Sequence, residues 1–441
     1  MSYLLDYQHL YKLKTCSVFD EAIKYLEGLF STERNKRNIE RMSEKMDNNY
    51  QSQHHFLSDS PWSAQAVMQA ISVNTNALLG DWTEQSLSID ESSNRKAGKH
   101  SVGVSSQYNG NLGKIENSQT GVYASLSRGN RVGLVNCRLF LPDEWINNPV
   151  RCAKVGVPKK SIVKKTKIDL ALEMIREIID QGVEFGWINA DGLYGQSYEF
   201  CKVIEELGKY FVVDVHKDQL VYLTDPCPYV REATSKIGRK PSRLTTDVKP
   251  IEVQEYLQGL KNKDFKEVKL RKGTKGWIMA KVHIAKVWVW NGEEQKARER
   301  TVIIRKGLKK KEEIKYALSN IKLGQKTAQQ FAFMQGQRFW IERAFEDAKG
   351  ELGMVDYQVR KYNAWYHHQA LVMQAMEYIN KKKIENQINI PLLSVRDIRL
   401  QIIEVLINNG AKMEKEIEQM FQRHRQRFND IKRYYPENEY F

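Results

Sequence analysis

The stretch FGWINADGLYG, from Phe185 to Gly195, decides the fold of this chain. Its first part is a short apolar run that ends at Asp191, and a run of this kind between turn signals predicts a buried strand. The glycines of GLYG predict a loop directly after the acid. Helical patterns lie on both sides, in KIDLALEMIREIIDQG (167–182) and YEFCKVIEEL (198–207). The stretch therefore predicts a buried strand between two helices, with a carboxylate at the strand's end.

Three more strands are predicted upstream, in SLSID (86–90), GVYASLS (121–127) and RVGLVNCRLFLP (131–142). Their alternating or β-branched residues stand between turn signals, which is typical of strands. Three strands, a helix and a fourth strand predict a mixed α/β core. Asp90 ends the first strand, and acids at strand ends lie where the active sites of α/β sheets form. A single Asp in such a place fits the cap of a following turn equally well.

Both ends of the chain have apolar residues every three or four positions, which predicts helices. A strand-rich stretch with basic loops lies between them and predicts a β insertion in the core. The predicted organisation has five parts: a helical DNA-binding region (1–82), the first part of the core (83–209), a β-rich insertion (210–326), the second part of the core with an acidic helix (327–370), and a helical basic region (371–441).

The composition favours a polyanionic partner. The 441 residues include 69 basic and 54 acidic side chains, a net charge of +15, and nucleic acid is the commonest partner of such a chain. A merely basic protein is the alternative. No apolar run approaches the ~20 residues that span a bilayer, so no membrane partner is expected. The five cysteines form no CxxC pair, which argues against disulfides and zinc and predicts a reducing cytoplasm. The expected nucleic-acid partner would place the protein at the nucleoid.

A third acidic candidate lies in WIERAFEDAKGELG (340–353), which predicts a helix. Its four acids are Glu342, Glu346, Asp347 and Glu351, and a solvated, salt-bridged helix explains most of them. Counted from Arg338, Glu342, Lys349 and Gly353 fall at offsets 4, 11 and 15, so these four residues are predicted to share one helical face. Glu346 lies near that face, whereas Asp347 and Glu351 point elsewhere. Glu342 is therefore the acid singled out.

Carboxylates from two strands and a helix cannot all ionise at close range without a cation between them. Two Mg²⁺ ions, or Mn²⁺ in their place, would resolve the repulsion and form a site for phosphoryl transfer. One ion would activate a water or a 3′-hydroxyl, and the other would stabilise the leaving oxygen. The lack of Cys and His ligand spacing argues against zinc.

At this point the sequence resembles insertion-sequence transposases of the DDE superfamily, which have a ribonuclease H-like catalytic core. Four blocks carry the resemblance: HHFLSDSPW (54–62), the stretch from IDESSNRKAGKH to GVYASL (89–126), WINADGLYG (187–195) and RFWIERAFEDAKGELGMVDYQVRKYNAWYHH (338–368). They follow one another in order along most of the chain. The resemblance implies an α/β fold with a ribonuclease H-like mixed sheet, a β-rich insertion and flanking helical regions.

The resemblance also implies roles for residues. Asp90, Asp191 and Glu342 match the catalytic, metal-binding acids of the family. One branch has the signature Y-x2-R-x3-E-x6-K, and Arg338, Glu342 and Lys349 fit it. The two cations would contact phosphates beside the cut. The chain departs from this branch at Gln335, where the signature has tyrosine, and at Glu91-Ser92, where relatives often have Asp-Thr.

Three further residues are candidates for DNA contact. Lys99 and His100 follow Asp90 in a polar loop, which fits a DNA contact or a solvated basic loop. Tyr194, three residues after Asp191, could stack on a displaced base. The run Trp365 to His368 has helical spacing with apolar neighbours and is interpreted as core packing.

The expected function is a DDE transposase that cuts DNA at transposon ends and joins the 3′-hydroxyl ends to target DNA with two Mg²⁺ ions. The resemblance implies that its partners are double-stranded DNA, both terminal inverted repeats and target, and a second copy of the chain that pairs the two ends. Two alternatives stay open. One is a transposase-derived DNA-binding protein without catalysis, and the other is a ribonuclease H-like nuclease that only hydrolyses.

Overall fold

The structure is a computed structural model that describes residues 2–46, 48–110, 113–232, 241–273, 276–308, 313–386, 390, 393–407, 421–422, 424–426, 428–430 and 432–433. Two compact units make up the chain. The first unit comprises Met1–Gln85, Ile89–Glu184 and Phe339–Phe441, and the second comprises Ser86–Ser88 and Phe185–Arg338. The prediction of five segments is a finer division, and its boundaries stay a prediction.

The α-helices of the described residues are numbered in chain order: α1 (Ser2–Leu5), α2 (Phe19–Ser31), α3 (Ile39–Met46), α4 (Tyr50–Ser58), α5 (Ala64–Leu79), α6 (Asp143–Ile146), α7 (Pro149–Lys154), α8 (Lys167–Asp180), α9 (Gly192–Gly195), α10 (Tyr198–Glu206), α11 (Val253–Gln258), α12 (Ala328–Gly336), α13 (Phe339–Glu351), α14 (Tyr362–Glu385) and α15 (Val395–Ile407). The helical patterns at the chain's start and before and after Asp191 correspond to α1–α5, α8 and α10. The predicted helical basic region (371–441) contains the rest of α14 and α15, and much of it after Ile407 lies outside the described residues.

The strands are numbered likewise: β1 (Ser86–Arg95), β2 (Ser105–Asn109), β3 (Lys114–Arg128), β4 (Arg131–Leu139), β5 (Trp187–Ala190), β6 (Phe211–Val215), β7 (Leu220–Val221), β8 (Tyr229–Val230), β9 (Leu244–Thr245), β10 (Ile251–Glu252), β11 (Lys266–Gly273), β12 (Gly276–Val289), β13 (Arg298–Gly307) and β14 (Ile314–Ser319). The predicted strands upstream of Asp191, and the predicted β-rich stretch after it, are thereby confirmed as strands.

Strand β1 has residues in both units, and the sheet order follows from it. In the first unit the order is β1-β3-β2, with β4 also on β3. In the second unit it is β11-β12-β13-β14-β6-β5, followed by the start of β1. Strands β5 and β6 are parallel, whereas β3 pairs with β4, and β14 with β6, in antiparallel register. The series β4-β3-β1-β5-β6 is a ribonuclease H-like mixed sheet, and β11–β14 add the β-rich insertion. The predicted fold class is confirmed.

The core of the first unit surrounds α14. This helix is buried along most of its length, with Leu371, Met373 and Ile379 among the inaccessible residues, and it packs against α2, α5 and β4. His367 and His368 are buried on it as well, and the His367 ring stacks on Trp62 at 3.9 Å between centroids. The interpretation of this run as core packing is confirmed.

The second unit packs the insertion sheet on both faces. One face of β11–β14 lies against α12 through residues such as Val282, Ile303 and Phe331. The other face lies against the start of α11 through Val302 and Val253. A sheet covered on both sides needs apolar residues at successive positions, which explains why β13 reads as the continuous apolar run VII rather than as an alternation.

None of the helices formed by the described residues is long and apolar enough to cross a membrane. All five cysteines are free thiols, with Cys16 and Cys227 exposed and the others buried.

Candidate active site

The first unit presents two adjacent acids in the interior of β1, which continues to Arg95, so the prediction that Asp90 ends its strand is wrong. Asp90 and Glu91 are both half-buried, and the Asp90 Oδ1 accepts a hydrogen bond from the backbone N–H of Glu91 at 2.8 Å. The Glu91 carboxylate forms an ion pair with the Lys167 Nζ, also at 2.8 Å, in which each side chain is about a quarter exposed. Lys167 is the first residue of α8. Glu91, a departure from the family pattern, is therefore fixed by a lysine.

Lys349 faces the first acid. It lies on α13, half-buried, with its Nζ 5.7 Å from the centroid of the Phe345 ring. Burial lowers the pKa of Lys349, and the negative charge of Asp90 opposes that shift. The charge of Asp90 thus acts on a lysine of α13, the helix that also carries Glu342.

The four acids of α13 have different surroundings. Arg343 forms ion pairs with Glu346 at 2.9 Å and with Asp347 at 2.8 Å. Glu351 is paired with Arg399 at 2.8 Å. These three acids behave as the salt-bridged helix that the sequence predicts. Glu342 lies in the first turn of the helix with an exposed side chain.

The ends of this helix differ from the prediction. Arg338 lies in the two-residue turn between α12 and α13, and Gly353 lies beyond the last helical residue with φ of 69°. A glycine in the left-handed region commonly ends a helix, because other residues are strained there. The prediction that Arg338 and Gly353 share the helical face of Glu342 and Lys349 is therefore wrong at both ends.

Asp191 lies in the second unit and caps a helix. It is half-buried directly after β5, and its Oδ1 accepts a hydrogen bond from the backbone N–H of Leu193 at 3.0 Å. The short helix α9 that follows approaches β6 very closely. A Cβ on Gly195 would lie 1.9 Å from the Asp214 carbonyl oxygen, and one on Gly192 would lie 2.3 Å from the His216 ring. Only glycine permits this approach, which explains the GLYG sequence.

Arg338 is held by an acid that the sequence reasoning missed. The Arg338 Nε donates to the Asp214 Oδ2 at 2.9 Å, and both side chains are about 15% exposed. The Gln335 amide donates to the other oxygen of Asp214 at 3.0 Å and accepts from the Arg305 Nε at 3.2 Å. Gln335, which stands at the signature's tyrosine position, therefore supports Arg338 through Asp214. A lone acid in the apolar strand FVVDV was the available signal.

The other candidate DNA contacts have different environments. Tyr194 is fully buried and packs against Phe200 at 5.5 Å between ring centroids, so its ring offers no face to a base. This corrects the expectation of base stacking. Lys99 and His100 are exposed in the loop after β1, which fits both of their interpretations. That loop is anchored by Lys96, whose Nζ donates to the Tyr357 carbonyl at 2.9 Å.

Comparison with known proteins identifies the class and the family of this chain. The family model described as DDE superfamily endonuclease matches residues 19–277, more than half of the chain. This chain belongs to that family. The matched region contains Asp90 and Asp191.

One relative is a protein of Microchaete diplosiphon described as a probable transposase for insertion sequence element IS701. It is 28% identical over 204 residues, which is 46% of this chain and 50% of the relative, so the match spans about half the length of each protein. Among solved structures, the piggyBac transposase synaptic complex with hairpin DNA has 9% sequence identity and a TM-score of 0.38, over 96% of this chain and 81% of that one. A score this low does not establish a common fold, and the fold class follows from the strand order instead.

Proposed function

We propose that this chain is a transposase that cuts DNA at the ends of its element and joins the 3′-hydroxyl ends to target DNA. Asp90, Asp191 and Glu342 are proposed as the metal-binding acids. The electrostatic interaction between Asp90 and Lys349 supports the proposal, because Lys349 lies on α13, the helix of the third acid. Membership of the DDE superfamily endonucleases and the resemblance to an insertion-sequence transposase support it.

The strand order supports the pairing of the two aspartates. β1 and β5 are neighbours in the sheet, and Asp191 directly follows β5 while Asp90 lies on β1. Glu342 lies seven residues before Lys349 on α13, which is two helical turns or ~10 Å along the axis. The two residues share a face of the helix. Asp191 thus follows the end of β5, Asp90 lies within β1 and Glu342 lies on α13, and the proposed active site would draw on these three elements.

The donor set fits a hard divalent cation. The proposed ligands offer carboxylate oxygens only, which suit Mg²⁺ or Mn²⁺ better than zinc. When bound, the two ions would supply the Lewis acid that activates the attacking oxygen and stabilises the leaving one. The chain's own cations then bind the DNA: Lys349 from α13, and Arg338 in the orientation that Asp214 gives it. Both would hold phosphates beside the cut without reading bases.

Isosteric substitutions test the site on a duplex that carries the DNA flanking the reading frame. Asp191→Asn removes the charge and keeps a side chain that caps helices equally well. We expect Asp90→Asn, Asp191→Asn and Glu342→Gln each to lower the Mg²⁺-dependent cleavage rate by orders of magnitude, roughly several kcal/mol of barrier. Glu346→Gln is the matched control on the same helix, because Glu346 is an exposed partner of Arg343. Full cleavage by Glu342→Gln would remove Glu342 from the site.

Product analysis separates the proposed reaction from its alternatives. Wild-type protein incubated with pre-cut ends, a target plasmid and Mg²⁺ should yield ends joined covalently to the plasmid. Cleavage without joined products would indicate a nuclease that only hydrolyses. DNA binding without any nicking in Mg²⁺ or Mn²⁺ would indicate a binding protein. Two ends held together in one complex would require two copies of the chain, the proposed homodimer on DNA.

A further inference from the structure

A lysine-rich segment in the first unit, PKKSIVKKTK (158–167), has no part in the proposed site. It connects α7 to α8 and contains five lysines within ten residues. Three of them are paired with acids: Lys164 with Asp143 at 2.9 Å, Lys165 with Glu173 at 2.5 Å, and Lys167 with Glu91 at 2.8 Å. Lys159 and Lys160 are exposed, and no ion pair is recorded for either within the described part of the chain. The segment thus has a paired end and a free basic end.

The free end borders a cleft of about 670 Å³ within the first unit. Its charged lining consists of three basic residues and one acid: Arg138, Lys160, Lys165 and Glu173. Glu173 is paired with Lys165 and Arg138 is paired with Glu177, so the excess positive charge of the cleft comes from Lys160. Tyr362 and Tyr366 add half-buried rings to the wall. A basic, open cleft of this kind suits a phosphate backbone rather than a neutral small molecule.

The paired end leads to the proposed site. Lys167 contacts Glu91, and Glu91 is the neighbour of Asp90 on β1. Seven residues separate Lys160 from Lys167, so their Cα atoms are at most ~24 Å apart even if the chain were fully extended. Successive phosphates of one DNA strand are ~3.4 Å apart along the helix axis, and about seven nucleotides cover that distance.

We propose that the segment 158–167 and its cleft bind the backbone of the DNA duplex on one side of the cut, with Lys159 and Lys160 on phosphates up to about seven nucleotides from the phosphate nearest Lys167. This inference rests on the proposed function, because the position of the cut comes from Asp90. Lysines act as point charges, so the contact adds affinity without sequence preference. The chain's net charge of +15 favours DNA over an acidic protein as the occupant.

The test compares two double variants. Lys159→Ala with Lys160→Ala removes the free end of the segment, and Lys12→Ala with Lys14→Ala removes two exposed lysines elsewhere in the same unit. Binding to a duplex of ~30 base pairs is measured over a range of salt in Ca²⁺. We expect the first pair to reduce the slope of log K against log salt by roughly 1.8 and the affinity roughly tenfold. The second pair should leave both near the wild-type values, and equal melting temperatures show that all variants fold.

Shortening the DNA gives the second arm. A duplex trimmed to ~3 base pairs on one side of the cut should bind wild type and the Lys159/Lys160 variant equally, whereas trimming the other side should keep their difference. An unchanged salt slope in that variant, or a difference that survives trimming on both sides, overturns the proposal. Because binding is read without cleavage, a failure here is distinct from a failure of the proposed function. A failure of the proposed function would appear as an undiminished rate of DNA cleavage by the Glu342→Gln variant.

Discussion

Arg338 and Lys349, the two cations on either side of Glu342, are held by different kinds of partner. Arg338 has an acid of its own, since Asp214 accepts its Nε and is itself supported by Gln335. Lys349 lies over the Phe345 ring and faces Asp90, which is one of the proposed metal ligands. Arg338 is therefore preoriented independently of the proposed site, whereas the environment of Lys349 depends on the charge of that site. Substitutions of each partner can separate the two arrangements.

The largest effect is expected from Lys349→Ala. It removes a partly desolvated cation beside Asp90, and fixed charges in such surroundings contribute roughly 3–4 kcal/mol to stabilising a transition state. We expect single-turnover cleavage at saturating DNA to fall on the order of 10²–10³-fold, with Lys349→Arg retaining more activity than Lys349→Ala. A loss confined to DNA affinity, with the saturated rate intact, would show that Lys349 only binds DNA.

The support behind Arg338 is tested by Gly195→Ala. The added Cβ would meet the Asp214 carbonyl at 1.9 Å, so the turn after Asp191 or strand β6 must move. We expect a loss of roughly 2–3 kcal/mol in the free energy of unfolding, measured with urea. Gly259→Ala is the control, because its nearest neighbour is a carbonyl 3.5 Å away. Equal stability of the two variants would contradict the close approach.

A smaller effect is expected from Asp214→Asn. The amide keeps the size of the side chain but loses the charge that Arg338 contacts, and its NH₂ group meets a donor. We expect a loss of about 1–2 kcal/mol in stability and a weaker contact of Arg338 with DNA. The contact with DNA is checked by the slope of the log binding constant against log salt concentration. Asp214→Asn should change this slope, and the double variant Asp214→Asn with Arg338→Ala should show no further change. If the effects of the two single substitutions on DNA binding were additive in the double variant, Asp214 would not act through Arg338.

Lys96 shows what burial alone does to a lysine in the first unit. Burial lowers its pKa to about 8, and Asp356 only partly opposes this. Because the folded pKa lies below the unfolded value, the unfolded chain binds more protons between about pH 8 and pH 10.5. Stability therefore rises with pH in that window as the buried charge is lost. Between pH 7.5 and pH 10, we expect the free energy of unfolding of Lys96→Met to rise by on the order of 1 kcal/mol less than that of the wild type. Urea unfolding at the two pH values measures this difference.

The sequence was sufficient for the fold class and for the acidic helix. Alternation in β1, β3 and β4 and the apolar run before Asp191 are local patterns, and each became a strand. Asp214 was not predicted, because one acid in an apolar strand has no periodic signal until its partner, 124 residues later, is brought beside it. Tyr194 was misinterpreted for a different reason: its place within GLYG suggested exposure, whereas its ring is buried and packs against Phe200, six residues later.

The ends of α13 were also beyond local reasoning. The residues of α12 and α13 have one continuous helical texture, and the break at Gln337 and Arg338 places Arg338 where its Nε reaches Asp214. The end at Gly353 depends on Arg37, whose Cβ lies 2.8 Å from where a Cβ on that glycine would be. Both boundaries are set by residues distant in sequence, which no window of neighbouring residues contains.

The tyrosines of the first helices have a consequence for the order in which the chain folds. The Tyr11 hydroxyl donates to the Gln374 side chain at 2.8 Å, and the Tyr25 hydroxyl lies 2.8 Å from the His368 Nδ1. These partners are more than 340 residues apart in the chain. During synthesis the N-terminal helices must wait for α14 to leave the ribosome before their hydroxyls and apolar faces are covered. Folding of the first unit is therefore expected to be late and slow, and a nascent chain lacking α14 is expected to be prone to aggregation.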